Sequence, residues 1–192
     1  AWKVSIPSSS AQYFSLADAA GQLSMTGEAG AQQIKIKVAE LDEFDTDRVC
    51  EVALTMDGKT QTIAKLTRMK LARTVNVYLA QYDEANIDFK TDAEGAYVYG
   101  STPVQTLDFL WHNEQYMHRV VVETNLKWAI GGELPAWLDP SVTSGEAGRT
   151  EVFVRTVKEA YPFAAESVEL KINDFTNESA PVEVSKLKVN MP

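Results

Sequence analysis

The densest group of potential ligand side chains lies in segment 39–48, AELDEFDTDR, which holds five carboxylates in ten positions. Alternating oxygen ligands are typical of a calcium loop, and Glu43, Asp45 and Asp47 supply that alternation. Such a loop then needs a glycine for its sharp turn, but Arg48 stands there and no glutamate closes the loop at the right distance. The segment is therefore predicted to be a solvated loop between strands that binds no structural calcium.

Other side chains with catalytic or metal-binding chemistry are few. His112 and His118 are six residues apart, which would separate them by roughly 20 Å on one strand and turn them to different faces of a helix, so neither arrangement chelates a metal. The single cysteine, Cys50, lies in the apolar stretch RVCEVALTM and is predicted to be a buried, unreactive thiol. The chain cannot build a tetrahedral zinc site locally, so no metal or cofactor is expected. Nucleophile-elbow and phosphate-binding glycine motifs do not occur, and the chain is predicted not to be an enzyme.

Tryptophans are the strongest candidates for a contact surface. Trp137 lies in LPAWLDP, between two prolines, and is predicted to be the most exposed aromatic side chain. Sugar stacking, a subunit neighbour and packing onto its own domain are the alternatives for it. Trp128 shares its face of an alternating strand with Leu126 and Ile130, and is predicted to lie in the core.

The elements that must position these residues are mainly strands. Alternation of apolar and polar residues, as in Trp2, Val4 and Ile6, recurs along the chain and predicts nine or ten strands. Asp57-Gly58 predicts a tight hairpin turn. Capping boxes and helical spacing predict short helices in 15–23 and in 102–111, although the second can also be interpreted as a strand.

These elements predict an all-β protein with a single β-sandwich domain over residues 1–192, of jelly-roll or immunoglobulin-like type, with one or two short helices. Residues 131–148 are rich in Gly, Pro and Ser and are predicted to form a long irregular surface loop.

Composition narrows the range of partners. The net charge of −9 argues against a nucleic acid recognised by sequence, since a phosphate backbone needs a cationic surface. The longest aliphatic run is Val120–Val122, far short of the roughly 18 residues of a membrane span.

With no catalytic motif, and with strands along nearly the whole chain, the leading hypothesis is a structural protein that self-assembles. A capsid, tail, pilus or surface-filament subunit fits, with copies of itself as partners and Trp2, Val4, Ile6 and Trp137 as candidate assembly contacts. One alternative is an extracytoplasmic module that binds a glycan or lipid, and another is a hydrolase whose carboxylates cannot be placed. A virion or cell-surface location is favoured, with the periplasm or extracellular space as alternatives.

Overall fold

A computed structural model of the protein describes residues 1–16, 21–40, 43–162 and 164–192. Regular structure in these residues is almost entirely β, which confirms the predicted all-β class. The chain divides into two compact units, Ala1–Ala72 (unit 1) and Arg73–Pro192 (unit 2). The strands form several sheets, and the single domain over 1–192 stays a prediction.

The described residues of unit 1 form six strands and one 3₁₀ turn, Ser8–Ser10. The strands are β1 (Trp2–Ser5), β2 (Phe14–Leu16), β3 (Ser24–Gly27), β4 (Ile36–Val38), β5 (Arg48–Met56) and β6 (Lys59–Arg68). Four of them form an antiparallel sheet in the order β3-β1-β5-β6, and β2 pairs with β4. Phe14 and Leu16 of β2 pack with Val4, Cys50 and Val52 of the larger sheet, so one face of that sheet is covered within the unit.

The turn between β5 and β6 is the predicted hairpin. Asp57 and Gly58 have φ of 49° and 74°, the left-handed geometry of a two-residue turn, which glycine adopts without a steric penalty.

In unit 2, leaving aside residue 163, the structure shows twelve strands and one 3₁₀ turn, Lys158–Ala160. The strands are β7 (Val75–Leu79), β8 (Tyr82–Asp83), β9 (Asp88–Phe89), β10 (Thr106–Asp108), β11 (Leu110–His112), β12 (Gln115–Thr124), β13 (Trp128–Gly131), β14 (Leu138–Pro140), β15 (Ser144–Gly145), β16 (Gly148–Thr156), β17 (Glu166–Asp174) and β18 (Val182–Met191). One sheet has the order β10-β18-β17-β13-β15, and a second has the order β11-β12-β16-β14, with β7 also paired to β12. Strands β8 and β9 form a separate hairpin.

The two larger sheets of unit 2 pack face to face. Val120 and Val152 of one sheet and Trp128, Ile172 and Leu187 of the other line a common apolar cavity of about 20 Å³. Trp128 is almost completely buried there, which confirms its predicted place in the core. An apolar cavity this small leaves the interior close-packed.

The predicted helix over 102–111 is wrong, because this segment contains β10 and β11 instead. Ladder hydrogen bonds with residues far away in sequence stabilise this segment more than its local capping signals would stabilise a helix, since β10 pairs in parallel with residues 188–190 of β18. In the predicted helix 15–23, Ser15 and Leu16 belong to β2, while 17–20 lie outside the described residues. The described helices are three-residue turns, far shorter than a membrane crossing requires.

The predicted irregular loop 131–148 is also partly wrong, since it contains β14 and β15. Glycine and proline favour turns, but Leu138–Pro140 pairs with the end of β16 and Ser144–Gly145 pairs with β13. Proline is tolerated because β14 is an edge strand.

Candidate functional site

The N-terminal segment 2–6, which contains three of the predicted assembly contacts, finds its partners inside unit 1. β1 lies between β3 and β5 and pairs with both. Val4 is 1% exposed and Ile6 is 6% exposed, and both belong to the core cluster of the unit. These two side chains are therefore covered by their own chain, and whether the segment also contacts another copy stays a prediction.

Trp2 holds the β3 edge of the sheet in place. Its ring lies across Gly27, where an added Cβ would come within 2.1 Å of the indole. The indole nitrogen donates a hydrogen bond to the backbone oxygen of Glu28 at 2.7 Å. Glycine at position 27 thus allows the close approach of the tryptophan, which fastens β3 to β1.

The opposite edge of the same sheet, β6, is long and accessible. Among the described residues it pairs with β5 alone, on one side, and residues 59–63 are all exposed. Ile63 is 45% exposed at a β-bulge that shifts the register between Val52 and Ala53. Such an edge presents unpaired backbone donors and acceptors to any extended strand that approaches.

β6 is also a cationic strand in an acidic protein. It contains Lys59, Lys65 and Arg68 and no carboxylate. Of the three, Arg68 pairs with Glu43, at 3.5 Å between guanidinium and carboxylate, while the two lysines extend from exposed positions. The edge therefore repels a second basic strand and attracts an acidic one.

The acidic segment 39–48 supports this hairpin. Its residues 41 and 42 lie outside the described part of the chain. Arg48 and Arg68 both contact Glu43, and the hydrogen bonds from Arg48 contribute most to lowering the pKa of the Glu43 carboxyl. Asp47 accepts a hydrogen bond from the backbone nitrogen of Lys70 at 2.8 Å. These carboxylates have partners within the protein, and the prediction that the segment binds no calcium stays untested.

Trp137 is not exposed, contrary to its prediction. It is 3% exposed, and its ring meets Phe109 edge-on with 6.4 Å between centroids. The prolines on either side suggested a free loop, but the Trp137 carbonyl accepts a hydrogen bond from the backbone nitrogen of Val157, which carries the segment into a sheet. Trp137 belongs to unit 2 and the other three candidate contacts belong to unit 1.

The exposed tryptophan is Trp111 of β11. Its side chain is 54% exposed, and its ring centroid lies 4.9 Å from that of Tyr116, its cross-strand partner. The ring centroid of Tyr161 lies 5.9 Å from that of Tyr116. Trp111 lies at the end of the segment 102–111, whose alternative interpretation as a strand is the one that the structure shows here. On a strand, its neighbours Leu110 and His112 point to the opposite face, so the ring projects into solvent.

The two histidines share one aromatic neighbour. The rings of His112 and His118 each lie 5.5 Å from the Phe89 ring. Their predicted separation of roughly 20 Å is wrong because the chain reverses between them: Asn113 and Glu114 have φ of 47° and 62° and form a two-residue hairpin turn.

Both histidines are buried. The Nδ1 of His112 lies 3.3 Å from the Tyr82 hydroxyl, and the Nδ1 of His118 lies 2.9 Å from the backbone oxygen of Arg119. Burial lowers the pKa of His118, so its imidazole is neutral at pH 7. These contacts hold both rings within the aromatic cluster, where the two histidines pack as interior side chains.

A small polar depression of about 250 Å³ lies on unit 2, lined by Tyr99, Arg149 and Glu123 among others. Burial and the negative charge of Glu151 raise the pKa of Tyr99 to about 12. The Arg149 guanidinium lies over the Tyr99 ring, 5.2 Å from its centroid. Tyr99 is therefore a protonated hydrogen-bond donor at neutral pH.

In the parts of the chain that the structure describes, no three His, Cys, Asp or Glu side chains gather closely enough to hold a metal ion. Cys50 is buried, as predicted, and burial raises the pKa of its thiol. The open β6 edge was not predicted from the sequence. The absence of acidic residues from KTQTIAKLTR indicates that the strand is cationic, but not that it lies at an edge.

Comparison with known proteins gives one match. A family model described as "Domain of unknown function (DUF8477)" matches residues 1–69. This range nearly coincides with unit 1 and ends one residue after β6. No curated protein and no solved structure matches the chain.

Proposed function

We propose that the protein is a non-enzymatic structural subunit that self-assembles, of the kind found in capsids, tails, pili or surface filaments. The observation that carries this proposal is the open edge of β6, ten residues long and paired on one side only. Strand addition at such an edge joins subunits through main-chain hydrogen bonds.

Exposed apolar side chains also support the β6 edge as the assembly contact. Met56, Ile63 and Met69, on or beside the β5–β6 hairpin, are large apolar side chains that lie open to solvent. Met56 and Met69 lie at opposite ends of the hairpin and Ile63 lies between them, so exposed apolar area is spread along the β6 edge, which favours contact with another protein surface.

We further propose that unit 2 is a β-sandwich. Its two facing sheets, with side chains from both lining one apolar interior, support a β-sandwich of jelly-roll or immunoglobulin-like type. Rigid sandwiches with exposed edges are suited to a structural role.

Light scattering after size exclusion, from low to high micromolar concentration, tests the assembly. We expect the mean mass to rise with concentration and Ile63→Glu, which adds a carboxylate to the cationic β6 edge, to suppress that rise without lowering the melting temperature. Ile87→Glu is the matched control, because Ile87 is a still more exposed apolar residue in unit 2. A monomer at every concentration, or equal effects of both substitutions, contradicts the proposal.

A second candidate function is the binding of a glycan or lipid, and the exposed Trp111 favours it. An indole face beside Tyr116 offers a stacking surface for a sugar ring or an acyl chain. Titration of the tryptophan fluorescence with defined oligosaccharides and with lipid vesicles tests this function. Saturable quenching that is lost in Trp111→Ala and retained in Ile87→Ala would favour it.

A further inference from the structure

We propose that the β6 edge of one copy receives the β3 edge of another, so that the protein joins head to tail through the unit 1 sheet. This inference rests on the proposed self-assembly and names its contact. β3 and β6 are the two outer strands of the same sheet.

Strand direction permits this pairing without inversion of either copy. β3 and β5 are both antiparallel to β1, and β6 is antiparallel to β5, so β3 and β6 run in opposite directions. Two copies placed side by side in the same orientation therefore bring β6 against β3 as an antiparallel pair. The alternation of directions continues across the junction.

Charge disfavours the symmetric alternative. A two-fold pair of β6 strands would place two strands that each carry Lys59 and Lys65, and no carboxylate, next to each other. Like charges on adjacent strands destabilise such a pair. The β3 strand carries no cation and is followed directly by Glu28, whose exposed carboxylate lies 3.8 Å from the N-terminal nitrogen of Ala1, so β3 is the better-matched partner.

The two faces of the sheet limit the register. Met25 packs towards the core on β3, and Ala64 and Leu66 do so on β6. When Met25 stands opposite Leu66, Gly27 stands opposite Ala64, whose small side chain leaves room beside the Trp2 ring.

On the outer face, this register aligns polar residues. Ser24 stands opposite Thr67, Thr26 opposite Lys65, and Glu28 lies diagonal to Lys65, within reach of an ion pair. Ser24, Thr26, Thr67, Lys65 and Glu28 are all exposed in the single chain, so the pairing requires no side chain to leave the core.

Disulfide trapping tests the contact. Opposed residues of antiparallel strands have Cα atoms about 4.5–5.5 Å apart, within the range of a disulfide. We expect a mixture of Ser24→Cys and Thr67→Cys proteins to form a mixed disulfide dimer under mild oxidation, while each protein alone does not. The native Cys50 is buried and does not interfere.

A second pair, Ser24→Cys with Thr62→Cys, covers the register in which Met25 faces Gln61. A mixed disulfide in either mixture supports the inference. Disulfides in single-protein samples, or none in either mixture while scattering still shows assembly, overturn it and leave the proposed function standing. A monomer at all concentrations overturns both.

Charge removal provides an independent measurement. We expect Lys65→Gln to raise the concentration of half-association about twofold or more, because it removes the cation diagonal to Glu28 without placing a carboxylate opposite Glu51, which faces Lys65 on β5. Lys158→Gln, an equal change of charge at an exposed position of unit 2, is the matched control and should leave that concentration unchanged. Equal shifts in both variants overturn the inference.

Discussion

Deletion of residues 1–6 should unfold unit 1 and leave unit 2 folded. The deletion removes β1 from between β3 and β5 and exposes the cavity that Val4 and Ile6 fill. Burial of these two side chains contributes about 3–6 kcal/mol to the free energy of unfolding. A unit of 72 residues is stable by roughly 4–11 kcal/mol, so this loss, added to that of the β1 ladder on both sides, removes most of it.

Hydrogen exchange on the full chain measures this effect by region. We expect amides of β5 and β6 to lose their protection, while those of β12 and β16 retain it. Lys3→Ala is the control, since Lys3 is an exposed residue of the same strand. This substitution should change the amide protection of neither unit. If β5 and β6 keep their protection while assembly is lost, β1 acts mainly between subunits, and the reasoning from its burial is refuted.

Three further outcomes are expected. Burial lowers the pKa of His118 from 6.5, so its contribution to the free energy of unfolding is complete above pH 6.5 and decreases as the pH falls towards its folded pKa. This decrease is at most about 1.4 kcal/mol per pH unit. Chemical denaturation at pH 7.5 and 5.5 should therefore show a smaller loss of stability on acidification in His118→Phe than in the unsubstituted protein. Cys50 should react slowly with a thiol reagent in native buffer and rapidly in denaturant, and fast native reaction would contradict its burial. Trp137→Ala should cost about 3–5 kcal/mol and Trp111→Ala no more than about 1.5 kcal/mol in urea unfolding, and the reverse order would contradict the assigned exposures.

Local signals predicted the local features of this fold. The Asp57-Gly58 hairpin follows from two residues, and the burial of Cys50 and Trp128 follows from the alternation around them. Each depends on neighbours within a few positions, where sequence patterns and backbone geometry are directly linked.

The features that sequence analysis missed depend on partners far away in the chain. Residues 102–105 carry helix-capping signals, but residues 106–108 that follow them pair with 188–190. Trp137 is flanked by prolines, but Leu138–Pro140 beside it pairs with β16. The histidines come together because Asn113 and Glu114 both take left-handed conformations, which an Asn-Glu pair signals less clearly than Asp-Gly. The open β6 edge requires knowledge of the strand order, which no single segment contains.

The parallel pairing of β10 with β18 has a consequence for the order of folding. Unit 1 contains all the strands of its own sheets within its first 68 residues, so it can fold while the ribosome is still making unit 2. In unit 2, by contrast, β10 cannot find its partner until residue 190 has been synthesised. Closing so long a loop raises the contact order and slows folding. We therefore expect β10 to join its sheet only after β17 and β18 have formed their hairpin, as the last strand of that sheet to find its partner.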